Sequence, residues 1–412
     1  MAGLEEKLCP VCFQEAMEHG ECRNCGYHAE ESSAVKDYLA PFTILKEKYL
    51  LGKSLGQGGF GITYLAENMQ SGLRCCIKEY FPSGLLQGRT PDGALILADE
   101  ENRPEYEEGK QQFIEEACAL QELRENISVV DILDFFEENG TAYFAMELIE
   151  GCNLRVFRKN HNPKQTLKMA LQMLFLLGSS LAEVHRFGMI HGDISPENIL
   201  ITQDGEIKLI DFGAARSFRQ GSDNKERKIY LKPNYAPYEQ YTQKPCQGPW
   251  TDIYALAATF YFIVSGRKML DALSRAKGAS YPPLHELCPA VSRQLSDVID
   301  KALAFDYHDR YRRMLDFLDA LEQVVRPEDY DIDLGALMPK SKASKQAEIH
   351  VETSDDSEKM CQVEEQNMPE PKRLAAFFHP KKRRLAYLEL TMRKSGGHIS
   401  RRRWIIEPNR TV

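Results

Sequence analysis

The chain has 412 residues, 43% of them hydrophobic, and a formal net charge of −9. That length suggests two to three domains and that composition supports a sizeable core, while the acidic balance argues against a protein that coats nucleic acid along its whole length. No basic-then-apolar leader opens the sequence and no apolar run reaches about 18 residues, so no transmembrane helix is expected. The most apolar stretch, Met169 to Val184, is interrupted by Gln172, Ser179, Ser180 and Glu183 and reads as a buried core helix. The 11 cysteines are then expected in a reducing, cytoplasmic compartment, where clustered cysteines mean metal more than disulfides.

Residues 1–30 hold Cys9-Pro10-Val11-Cys12 and Cys22-Arg23-Asn24-Cys25-Gly26. Two C-x-x-C pairs nine residues apart can place four thiolates around one Zn²⁺, with Gly26 fitting a knuckle turned toward the metal. So short a segment cannot bury a useful core, and metal would have to supply its folding energy, on the order of 10 kcal/mol or more. Two disulfides or free thiols are the alternative, and His28 is a neighbour rather than the favoured ligand. The segment resembles the short zinc ribbons of many bacterial proteins. Because Lys and Arg are sparse in it (Lys7 and Arg23), protein contact is a better expectation for it than nucleic acid.

A polar connector over 31–42 leads to Leu55-Gly56-Gln57-Gly58-Gly59-Phe60-Gly61-Ile62-Thr63-Tyr64-Leu65. In a dinucleotide-binding unit a helix would follow such glycines. Here Ile62 to Leu65 are β-branched, aromatic or apolar and read as a strand, so the glycines form a hairpin tip able to lie over phosphates. One hairpin later, beyond Ser71-Gly72, Cys75-Cys76-Ile77-Lys78 ends a strand. Residues 79–112 are turn-rich and read as an extended connection. Gln111 to Arg124 then has helical periodicity, with Phe113, Ala117, Leu120 and Leu123 on one face and Glu115 and Glu116 within it. Two strands, 129–136 and 141–146, flank an Asn139-Gly140 hairpin. From Leu154 onward the pattern is largely helical.

The long helix predicted over Leu167–Arg186 runs into His191-Gly192-Asp193-Ile194-Ser195-Pro196-Glu197-Asn198. The hairpin signal Asp204-Gly205 between apolar runs brings the chain back to Asp211-Phe212-Gly213. Asp193, Asn198 and Asp211 can therefore converge, and oxygen donors grouped in this way suit Mg²⁺ together with a base or positioning group.

Taken in order, these motifs resemble a bacterial eukaryotic-type serine/threonine protein kinase over roughly 43–325. The resemblance implies an α+β, two-lobed fold, with a β-rich N-lobe at 43–150 and a helical C-lobe at 151–325. It implies ATP and Mg²⁺ (or Mn²⁺) as cofactors, beside a structural Zn²⁺ on Cys9, Cys12, Cys22 and Cys25. Nucleotide contact would fall to Leu55, Gly56, Gly58, Gly61, Thr63, Cys76, Lys78, Glu116, Met146, Glu147 and Ile149, with Glu116 the partner of Lys78 and Glu115 its rival. Asp193 would take or orient the substrate hydroxyl proton, and Asn198 and Asp211 would hold Mg²⁺. Residues 211–239 match an activation segment with hydroxyls at Ser217, Ser222, Tyr230 and Tyr235. It closes on Ala236-Pro237-Tyr238-Glu239, where Glu239 should pair with Arg310, and Asp252 should brace the catalytic loop.

The sequence departs from the family in three places. Gly192 stands where arginine is common, so activity should depend less on activation-segment phosphorylation. Ser195 replaces the usual lysine, and Lys232 replaces the usual threonine, so Lys232 is expected to supply the missing charge and is counted among the catalytic residues. His-Gly-Asp also occurs in aminoglycoside and choline kinases, which makes a small-molecule phosphotransferase the rival enzyme. A pseudokinase scaffold is the rival of another class, against which stand Lys78, Asp193 and Asp211. The expected substrates are proteins.

Beyond the last predicted helix, 315–325, residues 328–370 carry 12 acidic against 4 basic residues and 371–412 carry 12 basic against 2 acidic. The span 326–370 reads as an acidic disordered linker in which Thr353, Ser354 and Ser357 are candidate phosphorylation sites. The basic tail, 371–412, has charge for an acidic partner, nucleic acid or an anionic membrane, or for folding back on the linker. Within it, 385–392 is apolar enough for a short ordered element.

Overall fold

The computed structural model describes residues 8–29, 37–58, 61–123, 128–212, 216–217, 231–242, 246–329, 386–394 and 397–405. Of the expectations above, the tip Gly59-Phe60, the activation-segment hydroxyls Ser222 and Tyr230, the side chain of Ser217 and the acidic span 330–370 with Thr353, Ser354 and Ser357 lie outside the described residues.

The four cysteines sit in a small unit with one two-stranded ladder, β1 (Met17–Glu18) and β2 (Glu21–Cys22). The β-rich lobe follows. Its sheet takes the antiparallel order β3-β4-β5-β6-β10-β9, from β3 (Ile44–Leu45), β4 (Tyr49–Gln57), β5 (Gly61–Asn68), β6 (Leu73–Tyr80), β9 (Ile132–Glu138) and β10 (Thr141–Glu147). Alternation sends Leu45, Tyr49, Leu51, Ile62, Tyr64, Ile77 and Tyr143 into one core on one side of the sheet.

The turn-rich span after Lys78 is more ordered than its composition predicts. It forms a hairpin, β7 (Leu86–Arg89) with β8 (Leu95–Leu97), and then α1, which runs Arg103–Glu122 and so starts eight residues before the predicted Gln111. Pro104 in its first turn explains the difference. A proline that reads as a breaker inside an element is well suited to a helix start, where its missing N–H costs nothing.

The helical lobe is built around α3 (Pro163–Arg186), entered through a capping box in which Asn162 and Gln165 exchange hydrogen bonds. Before it come β11 (Gly151–Asn153) and α2 (Leu154–Asn160), and after it β12 (Met189–Ile190), β13 (Ile199–Thr202), β14 (Ile207–Leu209) and β15 (Arg216–Ser217). The predicted Asp204-Gly205 turn joins β13 to β14, with Gly205 at φ 84°. Then follow α4 (Pro249–Ser265), α5 (Ala272–Ala276), α6 (Leu284–Leu287), α7 (Arg293–Ala302) and α8 (Met314–Glu322). By length and composition α3 could cross a membrane, but Met169, Met173, Leu174, Leu177, Leu181 and Val184 are buried in the lobe's core with residues of α4 and α8.

A second compact unit spans 343–412. In it β16 (Ala386–Lys394) and β17 (Gly397–Ile405) pair as one antiparallel hairpin in continuous register, from Ala386 opposite Ile405 to Lys394 opposite Gly397. β16 overlaps the short ordered element expected at 385–392, from Ala386 onward.

Candidate active site

The sheet register explains how scattered N-lobe residues share a wall. Thr63 faces Lys78 across β5 and β6, Phe144 faces Lys78 across β10 and β6, and Leu65 and Met146 both face Cys76. With a side-chain period of two, these residues share one face of the sheet. The glycines divide by the same test. A Cβ on Gly61 would lie 2.5 Å from the carbonyl oxygen of Glu79, so the chain itself demands glycine there. Among the described residues, a Cβ on Gly56 would meet nothing within 4 Å, and one on Gly58 only the Gly61 carbonyl oxygen at 4.0 Å. Neither glycine has a left-handed backbone. Open space above both is what a ligand lying close along the backbone requires. At the strand end, the Glu147 carboxylate accepts from the Asp131 amide at 3.0 Å and from Lys208 Nζ at 2.8 Å, while Ile149 follows outside the sheet. Nothing in the sequence reading singled out Lys208. The available signal was a lysine within Ile207-Lys208-Leu209-Ile210, a charge in an apolar run that needs a partner when buried.

On the helical lobe, the Asp252 carboxylate accepts from the amides of His191 at 2.8 Å and Gly192 at 2.9 Å, and His185 Nε2 lies 2.8 Å from it. Gln240 adds a bond from Nε2 to the Gly192 carbonyl, 2.8 Å. The loop is therefore held from behind by α4 and by the segment after Pro237, and Gly192 takes φ 76° between those anchors. Ahead of them, Asn198 Nδ2 donates to the Asp193 carbonyl at 2.9 Å and to its Oδ2 at 2.8 Å. Lys232 Nζ reaches that Oδ2 at 2.9 Å and Ser195 Oγ at 2.9 Å. Burial raises the Asp193 carboxyl, and Lys232 works against it.

Lys78 and Asp211 bridge the two lobes at 2.7 Å. The Lys78 ammonium holds Asp211 down to about 2 despite burial. For Lys78, burial alone would lower the ammonium, and the charges of Asp211 and Glu116 outweigh it, so it is raised. Asp211 has φ 63°, a conformation that costs a non-glycine residue free energy and concentrates at functional sites. The expected Lys78–Glu116 pair is not formed. Glu116 projects from α1 into the same buried region, yet among the described residues its Oε1 has no hydrogen-bond partner. Burial pushes the Glu116 carboxyl up to about 7, whereas the Lys78 ammonium 2.7 Å away keeps Asp211 ionised against its own desolvation.

This has a measurable consequence. A carboxyl whose folded value lies above its unfolded value near 4.5 binds more protons folded than unfolded between those limits. Stability therefore falls as pH rises through that window. Glu116→Gln should stabilise the nucleotide-free chain at pH 8 by on the order of 2–3 kcal/mol and be neutral at pH 4. Urea unfolding at the two pH values checks this, and equal effects at both would refute it.

A model of the protein kinase domain matches residues 49–319. The chain belongs to the protein kinase family. Among curated relatives of this kinase, serine/threonine-protein kinase F of Synechocystis sp. is 31% identical over 286 residues, covering 65% of the chain and 53% of that protein. Serine/threonine-protein kinase PknA of Nostoc sp. is 29% identical over 289 residues, covering 68% and 48%. The chain thus spans about half the length of these relatives. The solved structure of PpkA-294 in its apo form matches with TM-score 0.59 and 34% identity over 69% of the kinase and all of that chain.

The residues expected to brace the helical lobe are also in contact. Arg310 Nη1 and Nη2 meet the two carboxylate oxygens of Glu239 at 2.7 and 3.1 Å, with both side chains buried. In the N-terminal unit, Cys9 and Cys25 Sγ are 3.6 Å apart, as are Cys12 and Cys22 Sγ, and all four lie within 4.8 Å of one another. Disulfides would need about 2.05 Å. Tetrahedral Zn–S bonds of about 2.3 Å put sulfurs about 3.8 Å apart, so the donor set fits one Zn²⁺. His28 instead lies 3.7 Å from Glu21.

Proposed function

We propose that the chain is a serine/threonine protein kinase of bacterial signalling that transfers the γ-phosphoryl group of ATP to hydroxyls of proteins, itself included. The observation that carries this reading is the meeting of Lys78 and Asp211 from the two lobes beside the Asp193–Asn198–Lys232 cluster. Magnesium-bound ATP (or its Mn²⁺ form) supplies the phosphoryl donor and neutralises its charge. Asp211 and Asn198 are the metal-holding residues, with Asp211 already ionised. Lys78 is the phosphate-holding cation. Asp193 orients the substrate hydroxyl and takes its proton, its carboxylate aimed by Asn198. Leu55, Thr63, Cys76 and Met146 wall the adenine side, with the backbone at Glu147 and Ile149 for its polar edge. Because so little covalent chemistry is asked of the protein, positioning and charge carry most of the rate.

Lys232 occupies the place left by Ser195. One ammonium touches both Ser195 Oγ and Asp193 Oδ2, so positive charge reaches the loop from the segment before Tyr235, whose amide bonds to the Lys232 carbonyl at 2.9 Å. Lys232→Ala should cost about 10²-fold in phosphotransfer and Lys232→Arg much less. Activity of the alanine variant within a few-fold of native refutes the role.

Incubation with labelled ATP and Mg²⁺ tests the function, offering a generic protein substrate against amino-sugars. Label on phosphoserine or phosphothreonine is expected. Label on the sugar would establish the small-molecule class, and no transfer at all would favour a scaffold. Buried Glu239–Arg310, the glycine hairpin and Asp-Phe-Gly favour the first. The thiol cluster, which suits a reducing compartment, supports a cytoplasmic site of action. The basic residues around β16 and β17 would suit an acidic partner, nucleic acid or an anionic membrane surface.

A further inference from the structure

The ribbon is packed against its own kinase domain, at a point two residues ahead of Leu55. There β4 carries a bulge. Leu51 faces Ala66 but Ser54 faces Tyr64, so Gly52 and Lys53 share one partner position. A bulge takes backbone groups out of the ladder. The Lys53 amide is given to the Pro10 carbonyl at 2.9 Å, in the turn between the ligands Cys9 and Cys12. Gly52 is glycine for the same reason, since a Cβ there would lie 2.2 Å from the Pro10 oxygen and 2.8 Å from the Phe13 ring. Lys53 Nζ also stands 5.8 Å from the centre of the Tyr27 ring.

The two knuckles of the ribbon reveal what the contact costs. In the second, the Gly26 amide bonds to the Cys22 carbonyl at 2.8 Å, and Gly26 has φ 73°. In the first, the Phe13 amide bonds to the Cys9 carbonyl at 2.9 Å, and Phe13 has φ 56°. The same backbone position is thus filled by glycine in one knuckle and by a bulky residue in the other, where left-handed backbone is unfavourable. What offsets that strain is visible: Phe13 is buried, its ring on Gly52. A ribbon whose own buried cluster is Cys9, Cys22 and Tyr27 cannot hold Pro10 and Phe13 in place without its metal. The chain then re-enters the lobe fastened at both Asp37 and Leu39. Arg89 Nε donates to the Asp37 carbonyl at 2.7 Å, and the Leu39 amide to Tyr64 Oη at 3.2 Å.

We propose that the metal-loaded ribbon is a clamp on β4, so that occupancy of the four-cysteine site sets the mobility of the glycine-rich hairpin and with it the affinity for nucleotide. The partner of the ribbon is then the kinase domain of the same chain. Loss of metal slackens Pro10 and Phe13, returns the Lys53 amide to solvent and frees the strand that roofs the cleft. The proposal rests on the reading of that cleft as a nucleotide site.

The test uses the full chain and two variants. Cys22→Ser/Cys25→Ser removes the metal. Phe13→Gly keeps all four ligands, supplies the residue that the second knuckle already uses, and removes only the ring on Gly52. Metal content, hydrogen exchange over 49–58 and calorimetric affinity for Mg²⁺-ATP are measured on each. The native chain and Phe13→Gly should hold about one Zn²⁺ and the serine variant none. Both variants should exchange about tenfold faster over 49–58 with α4 unchanged, and bind nucleotide about fivefold more weakly. Unchanged exchange over 49–58 in the zinc-free variant overturns the clamp, as does unchanged exchange in zinc-loaded Phe13→Gly. A native chain that binds no nucleotide overturns the reading of the cleft instead, and the exchange comparison then still decides the clamp.

Discussion

Asp193→Asn should lower phosphotransfer by about 10³-fold while leaving the affinity for Mg²⁺-ATP within a few-fold of native. The side chain keeps its shape, and an oxygen can still accept from Asn198 Nδ2, now 2.8 Å from Oδ2. What is lost is the acceptor for the hydroxyl proton and the negative partner of Lys232, 2.9 Å away. Neither Lys78 nor Asp211, which meet 2.7 Å apart, touches that carboxylate, which is why nucleotide affinity should be spared. Single-turnover transfer of labelled phosphate, alongside calorimetric titration with nucleotide, separates the two quantities. A variant active within tenfold of the native chain would remove Asp193 from the chemistry. Loss of affinity equal to loss of rate would place it in ground-state binding instead.

Arg310→Ala should destabilise the helical lobe by about 3–5 kcal/mol, the range for leaving one member of a buried ion pair alone. The guanidinium bonds to both oxygens of Glu239, and also to the carbonyls of Ala304 at 2.7 Å, Phe305 at 3.0 Å and Trp250 at 3.3 Å. Thr251 Oγ1 adds a bond to Glu239 Oε1 at 3.1 Å. Removing the guanidinium leaves the carboxylate, among the described side chains, with that one hydroxyl, and takes a donor from each of the three carbonyls. Urea unfolding followed on the large lobe measures the cost, and a loss below 1 kcal/mol would contradict it. Glu239→Gln/Arg310→Met should recover much of the loss, because no unpaired charge stays buried. The pair fastens the end of the segment bearing Lys232 to the turn before α8, so the double variant should fold and still transfer phosphate slowly.

The departures from the family pattern belong together in space. Gly192 uses its left-handed φ to let the Asp252 carboxylate collect two successive amides, those of His191 and Gly192. Ser195 leaves room and a hydroxyl for the Lys232 ammonium. Lys232 thus brings positive charge to Asp193 in a loop that lacks both the arginine and the lysine usual in kinases.

Much of this protein was legible in the amino-acid order because the signals were local. Glycine spacing followed by β-branched residues specified a hairpin. Asp204-Gly205 specified the turn that returns the chain to Asp211. Two C-x-x-C pairs specified four thiolates within reach of one another. Each depends on backbone conformations a few residues long, which residue type controls directly. Three matters were decided by the tertiary structure alone. The partner of Lys78 is Asp211 rather than Glu116, because the balance of burial and charge at that point is set by residues from α1, β6 and the far lobe together. The start of α1 at Arg103 follows from a proline whose meaning depends on whether a helix begins or continues there. The seat of the ribbon on Gly52 has no sequence signature, since a glycine within a strand looks the same whether it is a defect, a bulge or the one place where another backbone can come within hydrogen-bonding distance.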